Sequence, residues 1–149
     1  MSIDHLKTLP GHLLRRVHQI SSAIFSEEMA AYELTSVQFM ALVAIADLPE
    51  MDATRLSELV DFDKATIGGV IERLERKGLI ERQRSAEDKR IKILAATPAG
   101  RALIKVSMNK VERVQKRLLA PLPAREQKQL MQLLEKLIAA HHPDADSAP

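Results

Sequence analysis

The sequence predicts a mainly α-helical fold carrying one small β-hairpin, and three observations predict it. Apolar residues recur at spacings of three and four through most of the chain, the period of amphipathic helices. The period falls to about two only once, within residues 79–94. Two short helical stretches joined by a tight turn come directly before that change. At 149 residues the chain is about one domain long, so residues 1–149 are expected to form a single protomer, alone or in an assembly.

Leu9, Leu13, Val17, Ile20 and Ile24 define a first helix over residues 9–31, with Pro10 tolerated in its first turn. Thr35 and Ser36 can cap a second, whose buried side carries Val37, Met40, Ala41 and Ala44. "DLPEMD" closes it, because the residue before Pro49 is pushed out of the α region. Asp52 caps a third, "ATRLSELVDF", packing through Leu56, Leu59 and Val60. Asp63 caps a fourth, "KATIGGVIERLERKG", with Ile67, Val70, Ile71 and Leu74 in one apolar stripe and Gly78 at its end.

"LIERQR" and "IKIL" then alternate as strands, linked by the polar "SAEDK". A fifth helix runs from Thr97 to about Leu119, with Ile104, Ser107, Val111, Val114 and Leu118 in a heptad-like seam. "PLP" breaks it, and a sixth follows with Leu130, Leu133, Leu134, Leu137 and Ile138. The polar tail, residues 141–149, is expected to fray. A helix-turn-helix followed by a two-stranded ribbon is a winged helix-turn-helix, here residues 35–96. Helical segments 5–31 and 97–140 flank it.

Composition narrows the function. No apolar run approaches the roughly 20 residues needed to cross a membrane, and the N-terminus lacks the basic start and apolar block of a signal peptide, so a cytoplasmic protein is expected. The absence of cysteine excludes disulfides, thiolate nucleophiles, thiolate zinc sites and thiol redox sensing. There is no nucleophile elbow, phosphate loop or His-Glu metal motif, and the carboxylates sit among lysines and arginines at helical ion-pair spacing. No enzyme, catalytic residue or cofactor is therefore expected. A net charge of +2 does not by itself imply nucleic acid. Its distribution does: from Arg82 to Lys92, Arg82, Arg84, Lys89, Arg90 and Lys92 stand against only Glu87 and Asp88.

A helix entering the major groove reads bases with its first turns, while cations and N-terminal amides hold phosphates. The fourth helix offers Lys64, Thr66, Gly68 and Gly69 there, with Arg73, Arg76 and Lys77 further on. The small residues would let backbone approach DNA closely; alternatively, the glycine pair relieves crowding between helices. At the hairpin, a guanidinium on a narrow ribbon fits the minor groove, and Asp88 can orient Arg90 by a charge-assisted bond. A solvated turn is the commoner fate of such a run, but its place after a helix-turn-helix favours DNA. Arg55, Arg84 and Lys89 complete the candidate DNA-binding set.

The stretch "RLERKGLIERQRSAEDKRIKILAATPAG" resembles the signature of the MarR-type winged-helix transcription regulators, which reads D-x-R, a strand, then Thr-x-x-Gly: here Asp88, Arg90, Thr97 and Gly100. "TRLSELVDF" resembles the helix before the recognition helix. Ala96 departs from the pattern, where leucine commonly precedes the Thr, which should alter packing rather than binding. The resemblance spans nearly the whole chain. It implies a homodimer joined through the first, fifth and sixth helices, bound to a pseudo-palindromic operator. It also implies a response to a small molecule, usually repression released by ligand. The apolar helices at both chain ends agree with such a partner, since so small a central module leaves them little to pack on.

For the effector, His12 and Arg16 lie four apart on one helical face and could grip a carboxylate or phenolate, while Phe39 or Met40 could cover an aromatic ring. "LPGHLLRR" and "FDKATIGGVIERLE" are similar to a proteobacterial subgroup that controls catabolism of aromatic acids, including nicotinate-pathway repressors. That similarity implies a hydroxylated pyridine or benzene carboxylate as inducer. A metal-responsive regulator would need His5, His12, His18, His141 or His142 to converge with carboxylates, and no metal ligand is named. The other alternative, a winged helix used as a protein-protein adaptor, predicts an apolar or acidic fourth-helix face.

Overall fold

The computed structural model describes residues 2–141. In chain order its elements are α1 (Ile3–Lys7), α2 (Pro10–Glu28), a 3₁₀ turn (Ala30–Tyr32), α3 (Ser36–Asp47), α4 (Ala53–Leu59), α5 (Lys64–Arg76), β1 (Ile80–Arg84), β2 (Lys92–Ala96), α6 (Pro98–Leu119) and α7 (Ala124–His141). The chain divides into two compact units, one ending at Val114 and one beginning at Gln115. A winged helix-turn-helix occupies the first.

Local chemistry starts each helix of that module. Thr35 caps α3 in a reciprocal capping box with Gln38, each side chain accepting from the other's backbone N–H at 3.2 Å. Asp52 and Asp63 cap α4 and α5, accepting from the N–H groups of Arg55 and Thr66 at 2.8 Å. Gly78 ends α5 with φ at 68°, where glycine carries no steric penalty. Antiparallel pairing then runs from Ile80 opposite Ala96 to Arg84 opposite Lys92.

Beneath these elements lies one core. Leu42, Met51, Leu56, Ile67 and Leu74 are fully buried, and Phe25 meets Phe39 with ring centroids 6.1 Å apart. The predicted α5 stripe of Ile67, Val70, Ile71 and Leu74 is buried throughout. Thr97 N–H donates to the Leu79 carbonyl at 3.0 Å, its hydroxyl donates to the Gly78 carbonyl at 2.7 Å, and the same oxygen accepts from Gly100 N–H at 3.1 Å. A Cβ on Gly100 would run into the Leu79 carbonyl, so the Thr-x-x-Gly pattern welds α6 to the start of β1.

Several expectations are corrected. The helix expected over residues 9–31 starts as expected, with Leu9 extended as its cap and Pro10 in its first turn, but a separate short helix, α1, closed by Thr8, precedes it. That helix ends earlier than expected, at Glu28, because the 3₁₀ turn and a left-handed Glu33 (φ 49°) redirect the chain toward Thr35. Met40 and Leu59, expected on buried faces, are each half-exposed, since Phe39, Leu42 and Ser57 take the inward positions. The hairpin is not the only extended pairing: Met51 bridges Leu94, whose N–H donates to its carbonyl at 2.7 Å.

The α6 seam packs inward along much of its length. Ser107 and Val114 are buried, Ile104 and Val111 pack against the same core, and the Ser107 hydroxyl donates to the Leu103 carbonyl at 2.7 Å. In the second unit the "PLP" turn is held by the Gln127 amide, which donates to the carbonyls of Leu119 and Leu122 at 3.0 and 2.9 Å.

Candidate nucleic-acid interface

The exposed face of α5 is chemically bare. Lys64 and Arg73 have exposed side chains that no other described group engages. An added Cβ at Gly68 or Gly69 would meet nothing within 4 Å. The glycine pair therefore relieves no crowding within this chain. Two glycines inside a helix cost about 1 kcal/mol each relative to alanine, so nothing in the fold repays them, whereas a close backbone approach from outside would. Thr66 is committed differently. Its N–H and hydroxyl both go to the Asp63 carboxylate at 2.8 Å, and these bonds hold that carboxyl below its ordinary range.

Asp88 and Arg90 close a fork at the tip of the wing. Arg90 Nε and Nη2 donate to the two carboxylate oxygens at 3.1 and 2.9 Å, and the Arg90 N–H adds a third bond at 3.0 Å. The Arg90 side chain beside it holds the Asp88 carboxyl below the ordinary carboxylate range, and the carboxylate raises the guanidinium in turn. Arg90 remains 90% exposed, so the pair aims the guanidinium without hiding it. Below it, Arg84 and Lys92 stand directly opposite across the strands. Like charges there repel, and an anion bound between them would remove the cost. Lys89 is likewise exposed and unengaged.

Other cations of the sequence reading, the candidate Arg55 among them, also make contacts within the fold. Arg55 donates through Nη1 to the Pro49 carbonyl at 2.8 Å, pinning α4 to the preceding turn. Lys77 donates to the Tyr32 carbonyl at 3.1 Å and pairs with Glu33, while Arg82 pairs with Glu75 at 3.3 Å. Arg76 stays exposed.

The four effector candidates are not brought together. His12 Nδ1 lies 3.4 Å from Arg15, not Arg16, which instead donates to Gln19 at 2.8 Å. Phe39 is in the core, and Met40 is exposed. A cleft of about 340 Å³ opens elsewhere, between α2, the start of α3 and α5, lined chiefly by His18, Ser22, Ser36, Phe62, Thr66 and Val70. Sequence spacing missed it because its walls come from three elements. Among the described residues no three His, Asp or Glu side chains converge as metal ligands, and His142 lies outside them.

Residues 34–92 match the MarR family. The HTH-type transcriptional repressor NicR of Pseudomonas putida is 32% identical over 128 residues, covering 86% of this chain and 81% of that protein. A probable transcriptional regulator from Pseudomonas aeruginosa superposes with a TM-score of 0.83 at 34% identity, covering 89% of this chain and 98% of that one. BpsR of Bordetella bronchiseptica, whose DNA binding is regulated by 6-hydroxynicotinic acid, gives 0.80 at 31%, covering 88% and 94%. These relatives are transcription regulators, not enzymes.

Proposed function

The chain belongs to the MarR family, and from that premise we propose that it is a transcriptional repressor. It binds a pseudo-palindromic operator as a homodimer and is released by a small aromatic carboxylate or phenolate. The observation that carries the DNA reading is the pairing, in one module, of an α5 face with unfilled space over Gly68 and Gly69 and a wing with a pre-aimed Arg90. The N-terminal turns of α5 enter the major groove, with Lys64 and Arg73 on phosphates. Arg90 enters the adjacent minor groove, and Arg84, Lys89 and Lys92 hold the backbone beside it. The exposed α5 cations Lys64, Arg73 and Arg76 also disfavour the adaptor reading, which calls for an apolar or acidic face on this helix.

Half-sites about one helical turn apart, ~10 bp, require two copies. Leu13, Leu14, Val17 and Ile20 of α2, and Leu133, Leu137 and Ile138 of α7, are about half exposed or more and supply the apolar surface for joining. Segments 5–31 and 97–140 are accordingly assigned to dimerisation, less the inward α6 seam. Such a regulator works where the chromosome is, in the cytoplasm.

For the effector, we place the ring in the cleft below α2, with His18 and the Ser22 and Ser36 hydroxyls available to a carboxylate or phenolate. The BpsR ligand, a hydroxylated pyridine carboxylate, supports that class. His12 and Arg16 are the rival anion site, on the exposed start of α2.

Titrating the purified chain into labelled operator duplex at several salt concentrations tests the DNA reading. Steep loss of affinity with salt is expected, and Arg90→Ala should weaken binding about tenfold with the dimer intact. Unchanged affinity in that variant refutes the wing's role. Thermal-shift screening with aromatic carboxylates, 6-hydroxynicotinate first, tests the ligand. Loss of release in His18→Ala but not His12→Ala places it in the cleft; the reverse pattern places it at His12 and Arg16.

A further inference from the structure

We propose that Glu50 is the positioning residue of the wing: from the turn between α3 and α4 its carboxylate fixes the loop that carries Arg90, and so sets where Arg90 stands relative to α5. The inference rests on the DNA-binding reading above.

The connection is continuous in the structure. The Ser85 hydroxyl donates to one Glu50 carboxylate oxygen and the Ala86 N–H donates to the other at 3.3 Å. Ser85 is buried, and its oxygen accepts in turn from the N–H groups of Glu87 and Asp88 at 3.1 and 3.2 Å. Asp88 then holds Arg90 through the fork described above. Carboxylate, hydroxyl, amides, carboxylate and guanidinium form one chain from the helix-turn-helix scaffold to the wing tip. Met51, the next residue, ties the same turn to Leu94 in the middle of β2. The turn therefore grips the ribbon at two points, at the start of its loop and midway along β2.

Backbone geometry and charge point the same way. Glu50 sits in the left-handed region, φ 52°, where glycine is free of the Cβ penalty and glutamate is not. At that position the backbone gains nothing from glutamate, while the side chain makes the contacts to Ser85 and Ala86. That side chain carries a negative charge beside a surface meant for phosphates. Were it a bystander, its removal would tighten DNA binding by relieving repulsion. A positioning role predicts the opposite sign.

Glu50→Gly, which suits the backbone and removes the carboxylate, is the decisive variant; Glu50→Gln keeps the shape and loses the charge. Operator affinity should fall about tenfold in Glu50→Gly and less in Glu50→Gln, measured at one salt concentration. In an Arg90→Ala background, Glu50→Gly should change affinity by less than about twofold, because its effect runs through Arg90. In the free protein, amide exchange at Ala86, Glu87 and Asp88 should quicken in Glu50→Gly while α5 amides hold. Equal or tighter binding in Glu50→Gly, additive losses with Arg90→Ala, or unchanged exchange at those three amides each overturn the role. If the unsubstituted chain ignores duplex at low salt, the DNA-binding reading fails first and takes this role with it, whatever the exchange data show.

Discussion

The central winged module and the helices at the two chain ends spend their apolar residues in opposite ways. Between Leu34 and Leu94 most large aliphatic side chains are inside, and five of them are fully buried. In α1 and α7 no residue is buried, and α2 buries only Phe25. The module is a finished core; the ends are amphipathic helices whose apolar stripes still face outward. Amphipathic periodicity thus says that a stripe will be covered, not by whom. The α6 seam makes the same point from the other side, since its regular spacing is satisfied within the chain.

The contrast can be broken most directly by deleting apolar side chains in each region. Leu56→Ala should lower unfolding free energy by about 2–5 kcal/mol at any protein concentration. Leu137→Ala should cost less than about 0.5 kcal/mol in dilute protein and progressively more as concentration rises and a dimer contributes. Denaturant melts at two concentrations check both. A concentration-independent loss at Leu137 would show that α7 is finished within one chain.

Two glycines sharpen the comparison within the module. Gly100→Ala forces a Cβ into the Leu79 carbonyl and should destabilise by about 1–3 kcal/mol. Gly69→Ala meets open space and should stabilise the free protein by about 1 kcal/mol while weakening operator binding. Thermal melts paired with duplex titration read both, and a Gly69→Ala protein that binds as tightly as the parent removes the close-approach argument.

The smallest effect is on pH. The Asp88 carboxyl is held below its ordinary value of 3.8, with Arg90 as the chief cause. A depressed carboxyl contributes above its unfolded value and loses that contribution as pH falls through the folded one. The fork should therefore be intact at neutral pH and open only in acid below about 3.8, and Asp88→Asn should mimic the opening at pH 7. A carboxyl titration by NMR with its midpoint at or above the ordinary value would contradict the fork.

Much of this was legible in the residues themselves. The caps at Thr35, Asp52 and Asp63, the stop at Gly78, the buried stripe of α5 and the two strands follow from chemistry within a few positions of each residue. The D-x-R fork was equally readable, because Asp88 and Arg90 are neighbours in the chain. The cleft beside His18 was not, and neither was the Glu50 clamp, whose partners lie 35 and 36 positions away. The fates of Arg55, Lys77 and Arg82 were hidden for the same reason: a cation's spacing shows that it is charged, not which carbonyl or carboxylate claims it.

By itself, then, the sequence determined the winged helix-turn-helix, its helix ends and the arginine at its tip, because periodicity, capping and turn preference act over one or two turns of chain. The tertiary structure alone decided that Phe39 is core, that the glycine pair of α5 faces open space, that Thr97 and Gly100 serve the α6 junction, and that Glu50 reaches the wing. Those outcomes depend on which atoms from distant segments come within hydrogen-bonding or van der Waals reach, and that is a property of packing rather than of spacing.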